Sequence, residues 1–196
     1  MKKHIGNIVT IASVALFATG CASAASKFYT LNSTAKGDGK PDTQYVMTVG
    51  PVSVPAEIDR PQFTVQITPN RVAIDEFNRW AEPLNASIAR VIANDLAVLL
   101  GTPRVTTVSL ANLDTAYRVT VEIQKFESVP GKSAQIIAVW AIRKPVGGIS
   151  LLGRTVVLEP TMGEGFDALA AAHSRALAKV SCDIAAAIRA EVDKKP

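Results

Sequence analysis

The chain is poor in the residues that metal sites and enzyme active sites use most. It has two cysteines and two histidines among 196 residues. His4 lies in an amino-terminal segment that we expect to be removed, so His173 is the one imidazole of the body. A metal site needs three or four ligands, and a nucleophile needs a base beside it. The histidines and cysteines of this sequence therefore form neither a metal site nor an activated nucleophile.

His173 has no suitable neighbours for a catalytic relay. Ser174 follows it directly, and on the predicted helix the two side chains point about 100° apart. Asp167 lies nearly two helical turns before it. A Ser-His-Asp relay cannot be assembled from this local set. We expect His173 to be structural, and we expect no enzymatic activity, no metal and no cofactor.

A short glycine motif also fails as a phosphate-binding site. Gly131-Lys132-Ser133 copies the end of a P-loop, but Phe126 stands where that motif needs its first glycine. We interpret the motif as a hairpin turn.

Long apolar runs are missing as well, because no segment reaches the roughly 18 uninterrupted residues of a membrane-spanning helix. The longest candidate, residues 5–17, covers 13 positions and contains polar residues. Lys2 and Lys3 precede it and Ala18 and Gly20 follow it, which is the pattern of a secretory signal peptide. Cys21 comes directly after these small residues. The segment therefore resembles a bacterial lipobox, in which the thiol is acylated and the chain is cut before it.

The lipobox has one unusual position, since Ala18 stands where leucine is common. Ordinary cleavage after Ala22 or Ala24 is the alternative, and it would leave an unanchored periplasmic protein. Acyl chains on Cys21 would contribute about 0.8 kcal/mol per buried methylene, so stable anchoring needs more than one chain. Ala22 in place of aspartate favours the outer membrane, by analogy with other lipoproteins. We predict a signal peptide at residues 1–20, a lipidated tether at 21–26 and one domain at 27–193.

Charge gives little support for a nucleic-acid partner. The formal net charge of +4 falls to +2 when residues 1–20 are removed, because two lysines and no acid leave with them. We therefore expect no nucleic acid among the partners. With Cys21 acylated, Cys182 has no cysteine to pair with, and we interpret it as a buried helix residue.

Hydrophobic periodicity predicts an α/β fold with a mixed, partly antiparallel sheet flanked by two main helices. The helices are expected at residues 82–100 and 165–192. We expect Pro51 and Pro55 to interrupt pairing after the second strand, because proline offers no N–H. The last three strands should form a meander. The predicted strands cover residues 27–31, 45–49, 63–67, 71–74, 105–110, 117–126, 134–142 and 151–158.

Two interpretations stay open for the residues before the first helix. Asp75 and Glu76 should complement the dipole of that helix. Trp80 can be a core anchor at the amino terminus of the helix. Alternatively, Trp80 with Arg79 and Glu82 forms a patch that faces a partner, since tryptophan and arginine are typical of interfaces.

Several motifs resemble the PqiC family of ABC-type transport auxiliary lipoproteins. The most specific pair is Asp59-Arg60-Pro61-Gln62 and Arg79-Trp80-Ala81-Glu82-Pro83-Leu84. One further matching segment, Gly50-Pro51-Val52, precedes these motifs, and two others follow them in the expected order, Ala138-Val139-Trp140 and residues 171–178. The resemblance therefore runs from the lipobox to the last helix. The chain departs from the family at His173, where we expect glutamine. It also lacks the expected acidic residue at 144–147.

The resemblance implies a non-enzymatic lipoprotein on the periplasmic face of the Gram-negative outer membrane, with a fold resembling the amino-terminal domain of TolB. Family members act with an MCE-type, PqiB-like periplasmic protein and, through it, an inner-membrane component, in lipid transport and envelope integrity. We expect a docking subunit of such a system, with homo-oligomer formation left open. A stand-alone lipid- or glycan-binding lipoprotein is the alternative. The candidate partner contacts are Ile58, Asp59, Arg60, Pro61, Gln62, Arg79, Trp80 and Glu82.

Overall fold

A computed structural model describes residues 24–37, 39, 42–108, 117–144 and 150–192. The predicted signal peptide, Cys21 and the start of the tether lie outside the described residues. The same holds for the end of the strand predicted at 105–110 and for most of the turn at 144–147.

The described chain contains eight strands and two helices, as the sequence predicts. Their bounds are β1 Lys27–Tyr29, β2 Met47–Ser53, β3 Gln62–Thr68, β4 Arg71–Trp80, α1 Leu84–Leu100, β5 Val105–Thr106, β6 Tyr117–Val129, β7 Ser133–Arg143, β8 Ser150–Pro160 and α2 Gly165–Val192.

The strands form two sheets, which the sequence did not separate. The smaller sheet has the order β1-β4-β3, with β1 parallel and β3 antiparallel to β4. The larger sheet has the order β5-β2-β6-β7-β8. In it β2 pairs in parallel with β5 and β6, whereas β6, β7 and β8 form the predicted antiparallel meander. Both sheets are mixed, and the predicted α/β class is confirmed.

The helices pack on each other and against the larger sheet, with α2 on β7 and β8 and α1 on β2. The apolar stripe predicted for α1 is buried, and Leu96 is fully excluded from solvent. So are Leu177 and Ile184 on α2 and Ile136 and Ile142 on β7. The core of the molecule therefore lies between the two helices and one face of the larger sheet.

The second strand extends past its expected end at Val49, to Ser53, but the pairing is interrupted at Pro51 as expected. β2 continues through Pro51, because the register shifts between Val49 and Val52 and leaves the proline unpaired at an irregularity. Proline is tolerated at such a bulge, where its missing N–H costs no ladder hydrogen bond.

The residues before α1 also differ from the prediction. β4 extends to Trp80, and the helix begins at Leu84 rather than at residue 82. Asp75 lies inside the strand, where its Oδ1 accepts backbone hydrogen bonds from Phe77 at 2.9 Å and Asn78 at 2.8 Å. The carboxylate thus supports an irregularity of β4 and does not cap a helix.

Cys182 is exposed on α2, so the expectation that it is buried is wrong. Its neighbour Ser181 and, further along, Ile184 are fully buried. Each helical residue is turned by about 100° from the one before it. The step from Ser181 to Cys182 therefore carries the thiol out of the packed face.

A buried carboxyl group fixes the segment that follows β1. Asp95 on α1 accepts hydrogen bonds from the Ser33 hydroxyl at 2.6 Å, the Ala35 backbone N–H at 3.2 Å and the Ser181 hydroxyl at 3.1 Å. Burial raises the pKa of Asp95 above its ordinary value, although these donors oppose that shift. The chain beyond the predicted tether is thereby attached to both helices.

Gly153 on β8 faces the indole of Trp140 on β7, and the space allows no side chain. A Cβ at position 153 would lie 2.1 Å from Cζ2 of Trp140. The indole cannot easily move, because its N–H donates to the Thr155 hydroxyl at 3.1 Å.

We therefore expect Gly153→Ala to lower the free energy of unfolding by about 1–3 kcal/mol, the usual cost of overpacking. Urea denaturation followed by circular dichroism measures the change. Gly37→Ala is the matched control, since a Cβ there meets nothing closer than 3.9 Å. Equal stability of the two variants would contradict the packing described here.

Candidate functional site

The two most specific motifs of the sequence meet in one groove. The backbone N–H of Trp80 donates to the carbonyl of Pro61 at 2.7 Å, which joins the end of β4 to the chain entering β3. The groove has a volume of about 360 Å³. It is lined by Asp59, Arg60, Pro61, Trp80, Ala81, Glu82, Pro83 and Leu84.

Trp80 borders this groove but belongs mainly to the core, with only 5% of its surface exposed. Its ring stacks on Phe63 with a centroid distance of 4.2 Å and meets Phe126 edge-on at 6.0 Å. Ile58 is buried to the same degree. The core-anchor interpretation of Trp80 is thus confirmed, although it lies at a strand end. Ile58 and Trp80 are thus mainly core residues, and their role as partner contacts stays a prediction.

The rim of the groove carries charges of both signs. Asp59 and Arg60 are exposed at the turn before β3, and Glu82 is half-buried across from them. Arg90 pairs with Glu82 and also donates to the Leu31 carbonyl at 3.1 Å. The hydrogen bond from Arg90 lowers the pKa of Glu82 against the opposing effect of burial. Glu82 is therefore an oriented carboxylate at neutral pH.

Gln62 and Arg79 do not line the groove. They are partners in the β3–β4 register, and both contact Glu76, a residue that the sequence assigned to the helix start. The Gln62 amide donates to the Glu76 carboxylate at 3.2 Å, and the Arg79 guanidinium lies 3.5 Å from it. The predicted eight-residue patch therefore consists of three parts: two core residues, four groove residues and this separate polar pair.

The chemistry of the described residues is limited. No group of three or more His, Cys, Asp or Glu side chains within them could hold a metal ion. His173 is fully buried, stacks on Phe126 at 3.7 Å and has its Nε2 2.8 Å from the Ser128 hydroxyl. This position agrees with a structural role. Neither described helix combines the length and apolar character needed to cross a bilayer.

Comparison with known families decides what kind of protein carries this groove. The family model of the ABC-type transport auxiliary lipoprotein component matches residues 29–185. The chain belongs to this family. The resemblance to PqiC-type auxiliary lipoproteins is thereby confirmed, and both motif segments of the groove lie inside the matched range.

Solved structures show the same fold. A crystal structure of an uncharacterized protein matches with a TM-score of 0.71 and 18% identity, over 84% of this chain and 99% of that one. Protein XCC0632 of Xanthomonas campestris, from the family DUF330, matches with a TM-score of 0.66 and 18% identity, over 81% and 92% of the two chains. No curated protein matches the chain.

Within this auxiliary lipoprotein, His173 gives the packing behind the groove a pH dependence. Burial lowers the pKa of His173 from 6.5 to about 3. Below pH 6.5 the His173 imidazole binds a proton in the unfolded chain but stays neutral in the folded chain. The stability is therefore fully present above that pH and decreases as the pH falls.

We expect the free energy of unfolding of the parent chain to fall by about 1.4 kcal/mol for each pH unit below 6.5, because of His173. Between pH 7 and pH 5 the parent chain should therefore lose about 2 kcal/mol more than the variant His173→Gln. Glutamine keeps a polar group near Ser128 and does not titrate. Urea denaturation at both pH values measures the difference. Parallel pH dependences of the two proteins would refute the buried neutral imidazole.

Proposed function

We propose that this auxiliary lipoprotein is an outer-membrane-anchored docking subunit of an MCE-type system that moves lipids between the two membranes. Acyl chains on Cys21 would hold the domain at the periplasmic face of the outer membrane. The domain would then present its groove to the periplasmic MCE protein, which connects to an inner-membrane component. No catalytic step is assigned to the chain.

The observation that carries this proposal is the meeting of the two family motifs in one groove. Arg60 and Asp59 are free to contact a partner across the rim, while Trp80 and Leu84 provide a buried apolar support. Interfaces commonly combine an apolar centre with a polar rim. An apolar groove with charges of both signs on its rim suits recognition of a protein segment.

Anchoring explains why such a groove can be small. A tethered site meets its partner at a raised local concentration, so the intrinsic affinity need not be high. The volume of about 360 Å³ lies near the lower end of the roughly 300–1,000 Å³ typical of small-molecule sites. The alternative of a stand-alone lipid or glycan carrier has less support, because this groove is open and small. Native mass spectrometry that finds a phospholipid inside the monomer would favour the carrier.

The anchor is tested by Cys21→Ala, which removes the thiol that receives the lipid. We expect the variant to move from the membrane pellet to the soluble periplasmic fraction, because no described helix can replace the acyl chains. Fractionation with immunoblotting measures this, and Cys182→Ala is the control that should stay in the pellet. A Cys21→Ala protein that remains entirely in the membrane fraction would remove acylation as the anchor.

The groove is tested by photo-crosslinking in intact envelopes. We expect a photoreactive residue in place of Arg60 to form a covalent product with an MCE-domain protein, identified by mass spectrometry. Arg154, exposed on β8 of the other sheet, is the control position and should give no such product. We also expect Arg60→Glu to reduce recovery of that partner at least tenfold, about 1.4 kcal/mol. Crosslinks to the MCE protein from position 154 alone would place the docking surface elsewhere.

A further inference from the structure

Large apolar side chains are exposed along the whole smaller sheet. Every residue of the segment 67–74, which contains the turn between β3 and β4, is exposed. This end of the β3–β4 hairpin therefore projects beyond the packed core. The apolar residues with 42–64% exposure on this sheet are Phe28, Ile67, Val72, Ile74 and Phe77.

The register places part of this set on one face. Phe63 and Val65 of β3 point into the core, so the β3 residues between and beside them point outward. Ile74 and Val72 pair with those outward residues. Ile74 and Val72 thus lie on the outer face of the hairpin, and both are exposed.

The direction of β1 connects this hairpin with the anchor. β1 runs parallel to β4, with Lys27 opposite Asn78. At Lys27 the direction of β1, followed backwards, therefore points towards Arg71, where β4 begins. The six residues from Cys21 to Lys27 reach at most about 20 Å, and the seven from Arg71 to Asn78 span at most about 23 Å, because the irregularity after Asp75 shortens β4. An acylated Cys21 can accordingly reach nearly to the level of the hairpin turn.

We propose that the β3–β4 hairpin lies on the phospholipid surface beside the acyl anchor and fixes the orientation of the domain on the membrane. Its exposed apolar side chains enter the interfacial region, as apolar residues of peripheral proteins do. The exposed cation Arg71 lies at the turn and would face the phosphate groups. This assignment rests on the proposed anchoring at Cys21. The acyl chains provide attachment, whereas the hairpin selects which side of the protein faces the bilayer.

The larger sheet supplies a matched control surface. Leu152, Val156 and Leu158 alternate along β8 and are also exposed, with Leu152 at 77%. They are as apolar as the hairpin residues, but they belong to the larger sheet, whereas β1, which follows the predicted tether in sequence, belongs to the smaller one. A surface that contacted lipid merely because it is apolar would include β8.

The test uses the complete acylated protein in vesicles of phosphatidylethanolamine and phosphatidylglycerol that contain spin-labelled lipid. In a Cys182→Ser background, Val72→Cys and Leu152→Cys variants are labelled with an environment-sensitive fluorophore. We expect the spin-labelled lipid to quench at least half of the emission at position 72 and to leave position 152 nearly unchanged. Adding Ile74→Asp should reduce the quenching at position 72, because it places a charge on the outer face.

The outcomes separate the lipid surface from other occupants. Equal quenching at both positions, or none at position 72, would overturn the proposal. A blue-shifted emission at position 72 without quenching would mean that a second copy or another protein covers the hairpin, and would overturn it as well. Unfolding curves of the labelled variants that match the parent show that the label leaves the fold intact.

The same preparation distinguishes this assignment from the proposed function. Mass measurement of the purified protein shows whether Cys21 is acylated. An unacylated chain overturns the anchored function together with the membrane-facing hairpin. An acylated chain that crosslinks to its partner at Arg60, but has an unquenched probe at position 72, overturns only the hairpin assignment.

Discussion

The fold depends on an aromatic cluster in which the two sheets meet. Trp80, at the end of β4, stacks on Phe63 of β3 and meets Phe126 of β6 edge-on. Phe126 in turn stacks on His173 of α2 at 3.7 Å. One indole thereby joins the smaller sheet, the larger sheet and the last helix. Because aromatic side chains bury a large apolar area in defined geometries, this cluster sets the position of the smaller sheet on the body. Trp80 also lines the groove, so the cluster fixes one of its walls.

Two ionisable side chains stand out in the sequence, His173 and Asp95, and both have a structural explanation in the core. His173 is kept neutral among aromatic rings, and Asp95 is surrounded by hydroxyl and N–H donors between the helices. An acid at a buried helical position is costly unless donors satisfy it. Its presence on α1 is accounted for by the segment that it binds, around Ser33 and Ala35. Both groups hold elements of the fold together.

The elements and the class of the fold could be predicted from the sequence, because periodicity and turn residues are local signals. The division into two sheets could not, since nothing local shows that β2 pairs with β6 across the intervening hairpin and helix. Asp75 illustrates a misleading signal: acidic residues before a helix usually complement its dipole, yet this one stabilises an irregular strand. Asp95 was detectable as an acid on the apolar stripe of α1. The close approach of Gly153 to Trp140 appears only when β7 and β8 are paired.

The candidate site was predictable in its segments but not in its geometry. The residues 59–62 and 79–84 stood out by resemblance, and only the pairing of β3 with β4 brings them together. Strand alternation then assigns Trp80 to the core and Arg79 to the outer surface. The same pairing places the groove at one end of the smaller sheet and the turn between β3 and β4 at the other. At about 3.3 Å per residue, β3 separates the groove from the hairpin turn by roughly 20 Å. A tether that continued the direction of β1 would lead towards the turn, and the groove lies at the opposite end of the sheet.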